Sequence, residues 1–99
     1  MNIKNEYYTL VSAYYGIREL DKYDLKVYIL KDIENYIRDF ISEHPINNFN
    51  YKEEAEKINS TKSYKRKLQD CLRVLPKINA SMELILLVKK ELKKIDENN

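Results

Sequence analysis

The chain has 99 residues, about two fifths apolar and a third charged, with a formal net charge of +2. That is the size of one domain with one core, and a globular composition rather than a disordered one. One glycine (Gly16) and two prolines (Pro45, Pro76) exclude a β-sandwich or barrel, which needs a turn every eight to twelve residues or so.

The first apolar series, Ile3, Tyr7, Leu10, Tyr14 and Ile17, has the 4-3-4-3 spacing of one helical stripe. Gly16 inside it costs about 1 kcal/mol relative to Ala, so it marks either the helix end or the close approach of another backbone. A second helix, capped by Asp21 or Asp24, carries the stripe Leu25, Ile29, Ile33, Tyr36, Ile37, Phe40 and Ile41. It ends near Glu43 or His44, because Pro45 disfavours helical geometry in the residue before it. Pro45 to Asn50 reads as a loop.

From Tyr51 to Leu75 the apolar phase breaks. Tyr51, Ala55 and Ile58 share a stripe that next meets Lys62 and Lys65; apolar residues then resume in a rotated phase at Tyr64, Leu68, Cys71 or Leu72, and Leu75. The jump predicts two helices joined by a tight turn at Asn59-Ser60-Thr61, with Ser60 or Thr61 capping the second. Pro76 ends that helix. A last one, capped by Asn79 or Ser81, runs to about Ile95, with Lys89, Lys90, Lys93 and Lys94 near its C-terminus, where the helix dipole favours cations. Met82, Leu84, Ile85, Leu86, Leu87 and Val88 cover most of its circumference, which predicts a helix that is central or shared with a partner. The expected fold is all-α: a compact bundle of four or five antiparallel helices in one domain over 1–99. Its expected core is Leu10, Tyr14, Ile29, Ile33, Ile37, Phe40, Ile58, Leu68, Leu72, Ile85, Val88 and Leu92, with a homodimer through the last helix.

Cys71, the single cysteine, cannot form an internal disulfide and reads as a small core residue in a reducing compartment. Met1 to Asn5 leads straight into a polar helical pattern, so no secretory signal is expected, and the five-residue apolar run Leu84 to Val88 is too short for a bilayer. The expected location is cytoplasmic. Lys, Asn, Ile and Tyr supply 44 of the 99 residues, a usage that points to an AT-rich bacterial, phage or plasmid gene.

Charge is unevenly placed. Met1 to His44 carries −2, Tyr51 to Ser60 carries −1, Thr61 to Lys77 carries +5, and the remainder balances. Concentrated positive charge is the footprint expected of phosphate binding. Ala55, Ile58 and Asn59, followed by a polar second helix, resemble the DNA-binding helix-turn-helix over residues 51–75. Glu54 and Lys65 stand where that motif usually has apolar residues. The resemblance implies that Lys62, Ser63, Lys65, Arg66 and Gln69 face the major groove. Arg66 and Gln69 would read base edges, the lysines would mainly hold phosphates, and Lys67, Arg73 and Lys77 complete the nucleic-acid-binding set.

In size, helix count and mild basicity the chain is also similar to the intracellular immunity proteins of peptide bacteriocins, and equally to phage-encoded inhibitors of host machinery. That likeness implies a regulatory protein that occupies a protein partner's surface. Nine tyrosines fit the class. Of the adjacent pairs Tyr7–Tyr8 and Tyr14–Tyr15, one member each cannot face the core stripe, and Tyr is favoured in interfaces. Tyr8, Tyr15 and Tyr23 are the expected partner-binding residues.

Enzymatic signals are weak. His44 is the only histidine, no metal-ligand spacing surrounds it, and Gly16 alone makes no phosphate loop. Arg38-Asp39 with His44 resembles the arginine–polar–histidine signature of helical HEPN ribonucleases, which would cleave through a 2′-hydroxyl, usually across a dimer. Ile46 replaces the usual aromatic, however, and residues six apart on a helix point about 120° away from each other. The expected protein is therefore not an enzyme and uses no cofactor or metal. It binds a protein partner, or alternatively duplex DNA through the basic helix 61–77.

Overall fold

The computed structural model describes residues 2–20 and 23–98, and the side chains of 2–20 and 26–98. Five α-helices, α1 (Ile3–Glu19), α2 (Tyr23–Glu43), α3 (Tyr51–Thr61), α4 (Tyr64–Val74) and α5 (Met82–Glu97), form an all-α bundle. A 3₁₀ turn (Leu75–Ile78) joins the last two, and no strand occurs among the described residues. No helix among those residues is long and apolar enough to cross a membrane.

Short polar side chains start these helices. Asn2, Asn50, Ser63 and Ser81 accept from the backbone amides of Asn5, Glu53, Arg66 and Leu84, each satisfying an orphan donor of a first turn. Asp24 lies inside the first turn of α2 rather than at its cap, and Asp21 is outside the described residues. The α3–α4 break falls later than expected, at Lys62-Ser63. Ser60 and Thr61 do not cap α4, because both hydroxyls donate back to the Lys57 carbonyl, at 3.0 and 2.7 Å. That leaves Ser63 as the cap, and Ser63→Ala is expected to cost about 1 kcal/mol, a melting shift of roughly 4–8 °C by circular dichroism. The Leu75–Ile78 turn closes on Asn79 in the left-handed region (φ 56°), a conformation asparagine tolerates.

The central helix is α1, not α5. Against it pack α4, most intimately, and α2 and α3, whereas the main contact of α5 is α4. The close α1–α4 approach depends on small side chains. Ser12, Ala13 and Gly16 are buried on α1, and the Cys71 thiol donates to the Ala13 carbonyl at 3.3 Å. A Cβ built on Gly16 would lie 2.8 Å from Cys71 Sγ and 3.0 Å from the backbone carbonyl of Lys67. Of the two readings of Gly16, close backbone approach is the one observed; α1 continues to Glu19.

Leu10, Ile29, Ile33, Phe40, Leu68 and Val88 are buried as expected. Tyr14, Ile37, Ile58, Leu72, Ile85 and Leu92 are only half-buried, at the rim of that core. Tyr7, Val11, Ile17, Leu20, Cys71, Val74, Leu75 and Leu84 complete the centre. Because α4 covers the Leu84/Val88 side of α5, Leu84 is buried where Ile85 was expected. Met82 and Leu86 stay 64% and 55% exposed.

Candidate functional site

Among the described residues, three concavities include side chains of the central helix. The first is an apolar cleft of about 240 Å³ where α1, α2 and α3 meet. Tyr7, Val11, Tyr14 and Tyr15 from α1, Ile37 from α2 and Ala55 from α3 line it, with Glu34 as its one charged group. Glu34 is engaged, accepting from the Tyr14 hydroxyl at 2.8 Å. One wall is held by an aromatic cluster. Phe49 and Tyr51 meet Tyr7 edge-on, with centroids 5.5 and 5.3 Å away, and the Tyr7 hydroxyl donates to the Tyr51 carbonyl at 2.7 Å. The Ile46 amide donates to the Tyr51 hydroxyl, so the 45–50 loop is pinned to the start of α3.

Burial, then neighbouring Tyr15, Tyr51 and Glu54, push the Tyr7 hydroxyl up to about 12. Tyr8 and Tyr14 are also raised, first by burial and then by donation to Glu54 and Glu34. All three remain protonated donors at neutral pH. The Tyr7 and Tyr14 hydroxyls hold the walls of the cleft, while Tyr8 lines a neighbouring polar groove.

The second concavity is a polar groove of about 380 Å³ on the other side of α3. It runs between the N-terminal half of α1 (Asn5, Tyr8, Thr9), the end of α3 (Ile58, Lys62) and α4 (Arg66, Gln69, Asp70, Arg73). A third, of about 410 Å³, is lined by Glu6, Tyr36, Asp39, Phe40, Glu43, His44 and Lys77. His44 packs on the Phe40 ring at 5.0 Å. Arg38 is exposed and is not part of that lining, so the Arg38/His44 pair of the ribonuclease likeness does not share this groove.

The basic segment is largely self-neutralised. Lys62 pairs with Asp70 at 2.6 Å, Lys65 with Asp96 at 2.7 Å, and Lys77 with Glu6 at 2.7 Å. Lys67 is only 3% exposed; its ammonium donates to Asn59 at 2.9 Å and reaches Glu19 at 3.4 Å. It supports the fold and is not presented to a ligand. Ser63 is occupied as the α4 cap. Arg66, Gln69 and Arg73 remain exposed along one side of α4, and neither arginine makes an ion pair among the described residues.

The expected tyrosine contacts are partly used within the chain. Tyr8 donates to Glu54 at 3.1 Å and packs against Phe49, while Tyr15 lies edge-on to Tyr14 under the Arg18 guanidinium. The Tyr23 side chain lies outside the described residues. Among the described tyrosine side chains Tyr28 is the most solvent-exposed, at 80%, beside exposed Val27 on α2. Val11, Ile37 and Ala55 complete the cleft; Ile37 and Ala55 were read only as stripe positions and Val11 lay outside the predicted stripes, because the cleft arises only where three helices meet.

Cys71 is buried, and burial, then Asp70, raise its thiol well above the ordinary range, so it packs as a neutral side chain. Among the described residues no His, Cys, Asp and Glu group of three or more has the arrangement of a metal site. No protein-family model matches the chain, and comparison with curated proteins and with solved structures returned no match.

Proposed function

We propose that this chain is a small non-enzymatic regulatory protein that acts by binding a protein partner, of the inhibitor, immunity or adaptor type. The observation that carries the reading is the α1–α2–α3 cleft, where four α1 side chains, Ile37 and Ala55 offer an apolar, aromatic-walled recess whose one carboxylate is already bonded. Such a recess suits an apolar anchor residue from a partner, and anchors in desolvated pockets supply most of the affinity of an interface. Tyr15, the expected contact, lies in its wall.

The test replaces Tyr15 with a photoreactive phenylalanine and cross-links the protein in the cells that express it. A discrete cross-linked partner is expected. Ala55→Arg, which fills the cleft from α3, is expected to weaken that complex by about 2 kcal/mol while leaving the helical melt intact. The same cross-links in Ala55→Arg, or none in either protein, would remove the reading. A homodimer through α5 belongs to the same class of proposal, supported by exposed Met82 and Leu86 one turn apart; Lys89 and Lys93 continue that stripe and bring like charges to a two-fold contact.

The alternative reading, a helix-turn-helix regulator, is favoured by the two-residue turn between α3 and α4 and by exposed Arg66, Gln69 and Arg73. Two observations weigh against it. Both helices pack on α1 with little contact between them, and four of the six cations in the basic segment already hold acidic partners.

A further inference from the structure

The polar groove between α1, α3 and α4 has a charge arrangement that the cleft reading leaves unused. Lys62 and Asp70 cancel each other across its floor. Arg66 and Arg73 line the same groove, exposed and without ion pairs among the described residues, with Gln69 between them. Seven residues along a helix is two turns, a rise of about 10.5 Å, so the two guanidiniums stand on one face two turns apart. A guanidinium fork is matched by a carboxylate, which it binds through two parallel hydrogen bonds. A second α-helix laid along the groove repeats the same interval. Two acidic side chains seven residues apart on such a helix would meet Arg66 and Arg73 in register, with the Asn5 and Gln69 amides available to the residues between.

We propose that this groove docks an acidic helical segment of a protein partner, with carboxylates two turns apart seated on Arg66 and Arg73. The proposal deepens the partner-binding reading and rests on it, but uses a different surface from the cleft. A nucleic acid fits the groove less well. A protein–DNA interface that makes about 6–10 phosphate contacts needs more cations than this groove offers, where only two guanidiniums are uncommitted among the described residues.

The experiment is fluorescence anisotropy at low ionic strength with a labelled, alanine-rich, staple-constrained helical peptide bearing two glutamates seven residues apart. Its glutamine counterpart and a labelled random-sequence DNA duplex are run beside it. The glutamate peptide is expected to bind at least about tenfold tighter than the glutamine peptide. That preference should vanish in Arg66→Gln/Arg73→Gln and persist in Lys89→Gln/Lys93→Gln, which removes the same charge from exposed α5 positions. Failure of the glutamate peptide to bind, equal binding of the two peptides, or a preference that survives loss of both arginines overturns the proposal. Arginine-dependent DNA binding with a log–log salt slope steeper than about −2 also overturns it, and would make the groove a nucleic-acid surface. Because the cross-linking probe sits at Tyr15 in the cleft, a partner found there with no peptide binding here rejects the groove alone.

Discussion

Gly16→Val is expected to lower the unfolding free energy by about 3 kcal/mol or more, a large share of the roughly 5–15 kcal/mol that holds a domain this size folded. An ordinary helical glycine gives the opposite sign, since replacement with alanine gains about 1 kcal/mol of helix propensity. Here the first added carbon already meets Cys71 Sγ at 2.8 Å and the Lys67 carbonyl carbon and oxygen at 3.0 Å. The thiol lies on a side chain that can turn, whereas the Lys67 backbone is fixed within α4. Both γ-methyls of valine would have to displace that helix, and α4 is the most extensive partner of α1. Gly16→Ala should therefore fall between the two effects. Adding Cys71→Ala to it should recover part of the loss, by removing the sulfur but not the carbonyl. Urea denaturation of the four proteins checks this; full stability in Gly16→Val would show that α1 and α4 do not meet as closely as their backbones indicate.

The helical composition, the α2 stripe from Ile29 to Phe40 and its end before Pro45 were legible because each depends on local spacing and backbone sterics. The central place of α1 was not. Its buried face includes Ser12, Ala13 and Gly16, which an apolar pattern does not count, and what buries them is how near α4 can come. The wide apolar girth of α5 allowed a central helix or one shared with a partner; the first is not observed, since Met82 and Leu86 are left to solvent. The paired tyrosines illustrate the same limit. With α1 surrounded, both members of each pair find neighbours within the chain: Tyr7 in the core, Tyr8 on Glu54, Tyr14 on Glu34, and Tyr15 against Tyr14. Of the site, the basic segment could be read as charge, but its partners could not. Glu6, Glu19 and Asp96 come from other helices, and Glu6 is 71 residues away from Lys77. Counting charges along a sequence cannot tell a cation that waits for a ligand from one already neutralised.

Lys67 shows that distinction most sharply and supports the second large effect. Within the helix-turn-helix likeness it would hold a phosphate, and any loss of its charge would weaken binding without disturbing the fold. In the structure it is 3% exposed, with its ammonium between Asn59 and Glu19, so its substitutions should be read as stability changes. Lys67→Glu places a carboxylate in that buried position facing Glu19, and is expected to cost about 3 kcal/mol or more, as uncompensated buried charge does. Lys67→Met keeps the length and apolar stem, and frees Glu19, which is substantially exposed and can be hydrated. It is expected to stay within about 1 kcal/mol of the parent, because the charge left behind on Glu19 is hydrated rather than buried and uncompensated. Thermal unfolding of both variants separates the two roles. A large loss in Lys67→Glu with near-parental stability in Lys67→Met identifies a position that tolerates no negative charge and needs no positive one. Equal, small effects in both would place the ammonium in solvent and return Lys67 to the ligand-facing side of α4.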